Sequence, residues 1–144
     1  MTGKSSPAEF PALRCPCHSG EQFGNCCGRY FAPPAGRGLA APTAEALMRS
    51  RFSAFALGNA QHLLRTWHPD TCPEDLDLDP EQQWYRLDIL STHKGGPFDG
   101  EAVVTFRAHY RQASNRRERG SFVETSSFTR VRGQWLYVAA LEIS

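Results

Sequence analysis

No run of about 18 apolar residues occurs anywhere in this 144-residue chain, so no segment is suited to crossing a bilayer as a helix. The opening stretch "MTGKSSPAEFPALRC" has no apolar core of the roughly 7 to 15 residues that mark a secretory signal. Catalytic signatures are also missing: there is no HExxH, no phosphate-cradling glycine loop and no nucleophile motif. Nor is there an internal repeat. With a net charge of only +1, whole-chain charge argues for neither a nucleic acid nor a membrane surface. Together these absences lead to the expectation of a cytoplasmic protein with no membrane partner.

What is present is enough for one hydrophobic core and a small appendage. The chain is 40% hydrophobic and 22% charged, with three Trp, four Tyr and nine Phe. Four of its five cysteines fall within "CPCHSGEQFGNCCG", residues 15 to 28. In a reducing compartment such a cluster points to metal or redox chemistry rather than structural disulfides. Residues 32–42, "APPAGRGLAAP", are nearly all Pro, Gly and Ala and are expected to form a flexible linker between this cluster and the remainder.

Downstream, Thr43 is placed to cap a helix with Glu45 in its first turn. Leu47, Met48, Phe52, Phe55 and Ala56 recur at helical spacing, and Gly58 is the expected stop. Asn59 is expected to cap a shorter helix through Leu63, Leu64 and Trp67, ending near His68 because Pro69 follows. From Trp84 the period changes to 2, the mark of half-buried strands. "WYRLDILSTH" is read as Tyr85, Leu87 and Ile89 against Trp84, Arg86 and Asp88. The next strand sets Ala102, Val104, Phe106, Ala108 and Tyr110 against Thr105, Arg107, His109 and Arg111. Two further strands, joined by a tight turn at Arg132-Gly133, complete an α+β domain with helices packed on a curved antiparallel sheet.

Cys15, Cys17, Cys26 and Cys27 supply four soft sulfur donors, the set that suits a tetrahedral Zn2+ site with no open coordination position, and hence a structural one. Gly20 and Gly28 permit the reversals that bring both ends of the loop to one centre. The spacing also leaves open thiols that bind nothing, a vicinal disulfide at Cys26-Cys27 and an iron–sulfur cluster. His18 is a weaker competitor for a ligand position.

These residues resemble the SEC-C zinc motif, C-P-C-x-S-G followed by C-C-G or C-H-G, best known at the tail of the SecA translocation ATPase. The stretches "APTAEALMRSRFSAFALGN", "TWHPDT", "WYRLDI", "GGPFDGEAVVTFRAHY" and "RGQWLYV" resemble the YchJ-like family of bacterial proteins and cover most of the chain. The resemblance implies a SEC-C module at 1–31, the linker at 32–42, and a cone-shaped domain of nuclear-transport-factor-two-like (NTF2-like) fold at 43–144. It implies no activity. The chain departs from the family pattern at Cys72, at Val123 before Glu124, and at Ala139-Ala140.

Three further constellations are candidates for function. Arg51 lies on the apolar stripe of the first helix and needs a partner, for which Glu124 or Asp88 is suited; with Trp67 and His68 of "TWHPD" these residues could line a pocket for a small ligand. His68 with Arg51 and Glu124 is the enzyme alternative. Alternatively, His68 simply satisfies a helix-terminal carbonyl. Cys72, close to carboxylates, is a poor candidate for a reactive thiol. Between Asp70 and Asp88 there are seven carboxylates against one Arg86, whereas Arg107, Arg111, Arg116, Arg117 and Arg119 face one Glu118. That arginine-rich hairpin is the nucleic-acid alternative. The favoured expectation is a non-catalytic adaptor whose zinc module, on a tether, carries Phe23, Arg29 and Tyr30 to a protein partner. Lys4, Arg14, Arg29 and Arg37 would serve a nucleic acid or a ribosome-associated partner instead.

Overall fold

The computed structural model describes residues 13–144. Two single-turn 3-10 segments, Phe23–Asn25 and Cys27–Arg29, form the cysteine loop. Helices α1 (Ala44–Leu57) and α2 (Ala60–Arg65) follow, then strands β1 (Gln82–Lys94), β2 (Glu101–Gln112), β3 (Arg119–Val131) and β4 (Gln134–Ile143). The strands form one antiparallel meander in the order β1-β2-β3-β4.

The helix boundaries follow the capping chemistry. Thr43 Oγ1 accepts the Ala46 N–H at 3.0 Å, and Asn59 Oδ1 accepts the His62 N–H at 3.0 Å. Gly58 closes α1 in the left-handed region at φ 75°, where a side chain would be strained. Helix α2 stops at Arg65, earlier than expected, because Trp67 leaves the helix to pair with Tyr137 of β4 in a parallel bridge. His68 N–H then donates to the Tyr137 carbonyl at 2.8 Å. Arg132 (φ 53°) and Gly133 (φ 79°) form the tight β3–β4 turn expected from the sequence, both with the positive φ that such two-residue hairpins require.

Helix α1 lies across the inner face of the sheet. Leu47, Met48 and Phe52 meet a core that includes Leu63, Leu87, Val104, Phe106, Phe128 and Trp135. The alternation in β2 is as expected, with Ala102, Val104, Phe106 and Ala108 buried. In β1 it is not. Trp84 pairs with Tyr110 and Arg86 with His109, so Tyr85 is an extra residue at a bulge. Trp84 therefore faces the core, against Phe52 at 6.2 Å and Phe55 at 5.9 Å, while Tyr85 joins the outer face near His109.

The segment expected as a linker is instead folded back on the cysteine loop. Arg37 N–H donates to Gly28 O, Gly38 N–H to Phe31 O and Leu39 N–H to Arg29 O, at 3.2, 2.7 and 2.8 Å. A Cβ at Gly36 would lie 2.0 Å from Gly28 O, so only glycine permits this approach. Phe31, 1% exposed, meets Phe23 edge-on at 5.1 Å and stacks on His62 of α2 at 4.4 Å. Arg65 Nη2 donates to the Tyr30 carbonyl at 2.8 Å. The N-terminal module is thus docked on both helices.

His62 is the polar hinge of that docking. Ser50 Oγ donates to Leu47 O at 2.7 Å, so it accepts from His62 Nε2–H at 2.9 Å; Nδ1 is left to accept from Arg65 Nη2 at 3.0 Å. Burial first, then the Arg65 and Arg51 charges, lower its pKa from 6.5 to about 3. The unfolded chain takes up this proton near pH 6.5 and the folded chain only near 3, so this contribution to stability is complete above 6.5 and falls as pH drops through that window. At its steepest the loss is about 1.4 kcal/mol per pH unit. Urea unfolding at pH 7.5 and pH 5, with metal content followed in parallel, is expected to show this loss in the parent chain and a smaller one in His62→Asn.

Candidate metal centre

Residues 15 to 28 bring four sulfur atoms together. Cys15 N–H donates to Glu21 O at 2.8 Å, and Gly20, at φ 93°, carries the reversal. The 3-10 turns then place Cys26 and Cys27 opposite Cys15 and Cys17. All four Sγ atoms lie within 4.8 Å of one another, Cys17 and Cys26 at 3.6 Å, and none is in a disulfide. A tetrahedral centre with metal–sulfur bonds of about 2.3 Å needs sulfurs about 3.8 Å apart. The donor set and spacing fit a metal ion. Cys17 is fully buried and Cys15 and Cys27 nearly so.

Crowding divides the four thiols. Hydrogen bonding among the sulfurs, with Cys15 first, holds Cys27 far above its ordinary value; the bond with Cys17 raises Cys15 to about 11. The remaining two move the other way: Cys17 falls well below the ordinary thiol range through its bond with Cys15, and Cys26 falls to about 6 through its bond with Cys27. Deprotonating all four sulfurs at this spacing would require a cation among them.

Helix α1 supplies the surroundings. Ser53 Oγ lies 3.4 Å from Cys15 Sγ, and Arg49 Nη1 donates to Cys17 O at 3.1 Å and lies 3.9 Å from its sulfur. Ser19 Oγ is 3.2 Å from Cys26 Sγ. The sequence reading missed Arg49 and Ser53, although their i, i+4 spacing puts two polar residues on one face of α1 beside its apolar stripe. Phe23 and Tyr30, expected on display, are 1% and 5% exposed and pack inward; Arg29 stays half-buried, its Cζ 5.0 Å from the Tyr30 ring. His18 is exposed and outside the sulfur cluster, and Lys4 lies outside the described residues.

The second candidate site is a cavity of about 140 Å³ between α1 and the sheet, which Arg51, Trp67 and Glu124 all help to line. Arg51 and Glu124 do not form the expected direct ion pair. Arg51 Nη1 donates to Leu63 O and Thr66 Oγ1, both at 2.8 Å, and its Cζ sits 4.4 Å from the Tyr137 ring and 4.9 Å from that of Trp67. Glu124 Oε2 accepts instead from Ser126 Oγ and from the Tyr137 hydroxyl at 3.2 Å. Tyr137, raised to about 12 by burial and then by Glu124, stays protonated and stands between the two charges.

His68 is not among the cavity residues. Its Nδ1 accepts the Asp70 N–H at 3.0 Å in the loop beyond α2, and Asp88 pairs with His109 and Arg86 on the outer face of the sheet. The proposed acid–base set is therefore not assembled. On that outer face Arg111 and Arg119 flank the Tyr85 ring at 5.1 and 5.7 Å, Arg107 donates to Ser121, and Arg116 and Arg117 are exposed at the hairpin tip.

Residues 43–140 match the family described as "YchJ, middle NTF2-like domain". The chain belongs to the YchJ-like, UPF0225 family. A UPF0225 protein of Streptomyces coelicolor is 50% identical over 89% of this chain and 94% of its own length. The solution structure of a SEC-C motif containing protein from Rhodopseudomonas palustris superposes with a TM-score of 0.75 at 28% identity, covering 92% of this chain and 100% of that one. A SEC-C motif containing protein from Psychrobacter arcticus shares the fold at a TM-score of 0.70 and 22% identity, covering 94% and 85%. No helix among the described residues is long and apolar enough to cross a membrane.

In this YchJ-like protein the contacts from α1 are expected to tune the sulfur site. Ser53→Ala should weaken retention of a bound divalent ion by about 10–100-fold in a chelator competition, whereas Ser91→Ala, on the distant β1, should leave it unchanged.

Proposed function

We propose that this is a cytoplasmic, non-catalytic zinc protein that acts by binding another protein. The reading rests on one observation: a closed set of four sulfurs, all within 4.8 Å, wedged against α1. Cys15, Cys17, Cys26 and Cys27 would hold the ion, which leaves no position for a substrate or an activated water. Its chemistry is then cohesive, supplying the binding energy that fixes a loop with little core of its own. Zinc fits four thiolates in a compartment that keeps Cys72 and the cluster reduced.

The docked module alters where a partner would bind. With Phe23 and Tyr30 turned inward, the most exposed aromatic among the described residues is Phe98, 95% exposed in the β1–β2 loop. That loop is held rigid: Gly96 N–H donates to Asp99 Oδ2 at 3.0 Å, Arg130 Nη1 donates to Pro97 O, and Ala44 N–H donates to Gly95 O at 3.1 Å. A pre-ordered aromatic of this kind is suited to anchor a protein contact. Protein purified under reducing conditions is expected to carry one zinc per chain. Chelation or Cys27→Ser should remove it, lower Tm and free the amides of residues 13–42 for exchange. Metal-free protein that keeps those amides protected, or a chain that carries iron instead, would refute the zinc reading.

A nucleic-acid role is the second reading, favoured by the gathering of Arg111 and Arg119 around Tyr85. It requires single-strand affinity that falls steeply between 50 and 200 mM salt. Arg116→Ala combined with Arg117→Ala should weaken that affinity further and flatten its salt slope by about two phosphate contacts. Fluorescence anisotropy with a labelled oligonucleotide measures both, and affinity indifferent to salt and to the double variant eliminates this reading.

A further inference from the structure

The cavity under α1 is an apolar space into which two charged side chains, Arg51 and Glu124, are also set. Its walls are aromatic, from Phe52, Phe55, Trp84, Phe106 and Phe122, and its volume of about 140 Å³ is close to that of engineered core cavities, roughly 150 Å³, that take up one benzene ring. Phe55, Trp84 and Phe122 are only half-buried, so one side opens to solvent.

Into this apolar space the fold brings donors and acceptors that the protein does not satisfy. Arg51, 2% exposed, uses only Nη1; Nε and Nη2 have no acceptor among the described residues. The Trp67 Nε1–H is buried with no partner among them. Both hydroxyls that reach Glu124 go to Oε2, leaving Oε1 without one. Of these groups the Trp67 Nε1–H is fully buried, as is the unpartnered Trp135 Nε1–H outside the cavity, and a buried donor left unmet is costly in a protein interior.

Charge narrows the ligand. Burial lowers the Arg51 pKa only to about 10, so at neutral pH the guanidinium is charged and faces a cavity that Glu124 also lines. An anion would gain at Arg51 and lose at Glu124, and a cation the reverse. A neutral molecule that accepts at one end and donates at the other uses both. A flat ring matches walls made of ring faces and edges.

We propose that this cavity binds a small, uncharged, planar ring that carries a carbonyl and an N–H group, a cyclic amide or imide, the carbonyl taken by Arg51 and Trp67 Nε1–H and the ring N–H by Glu124 Oε1. The cavity shares only a helix with the cysteine centre, so the proposal stands or falls independently of the zinc reading.

The test uses the full, metal-loaded chain, with metal content measured before each titration. The Trp67 indole N–H resonance, assigned by its loss in Trp67→Phe, is followed as 2-pyridone, benzoate or toluene is added. Saturable downfield movement with 2-pyridone is expected, at an affinity at least about tenfold above the other two, together with a further loss of about tenfold in Glu124→Gln. Equal binding of toluene would show a hydrophobic void only, and tighter benzoate an anion site built on Arg51 alone. Either result, or no saturable response to any of the three, overturns the proposal. Should Glu124→Gln fail to fold, the three-ligand comparison on the parent chain decides alone.

Discussion

Four sulfur atoms confined within 4.8 Å set the terms for residues 13–42 of this protein. As thiols they compete to donate to one another, and as thiolates they repel. A shared cation would resolve both conditions at once. The surroundings are built for that outcome, since Ser53 and Arg49 approach the sulfurs from a helix that the rest of the fold already holds against the sheet. The cysteine loop thus leans on the surface of α1, and a bound ion would add a second source of order from within.

Most of the cone-shaped domain was legible in the residues. Thr43, Gly58 and Asn59 mark helix ends by mechanisms that act within three or four residues, and Arg132-Gly133 specifies its own turn. The β2 alternation is equally local. The bulge at Tyr85 was not legible, because strict alternation cannot indicate where a residue is skipped; that depends on Trp84 finding space beside Phe52 and Phe55.

The cysteine cluster was legible as a donor set, but its setting was not. A Pro-, Gly- and Ala-rich stretch has no side chains that announce a docking surface, so residues 32–42 read as a linker. Their order comes from backbone hydrogen bonds and from the space left by Gly36. The cavity was half legible. Arg51 on an apolar stripe correctly signalled a buried charge, and Glu124 and Trp67, named with it as pocket residues, do line the same cavity. Tyr137, which separates them, lies on a strand that long-range pairing alone places there.

Helix α1 has a consequence for how the chain divides. One of its sides touches the sulfurs through Arg49 and Ser53, and a neighbouring side forms the cavity wall through Met48, Arg51, Phe52 and Phe55. The boundary visible in composition near residue 42 is thus not a mechanical seam. A rotation of α1 would alter the cavity's outline and the sulfurs' neighbours together, so the cavity and the sulfur cluster share one wall.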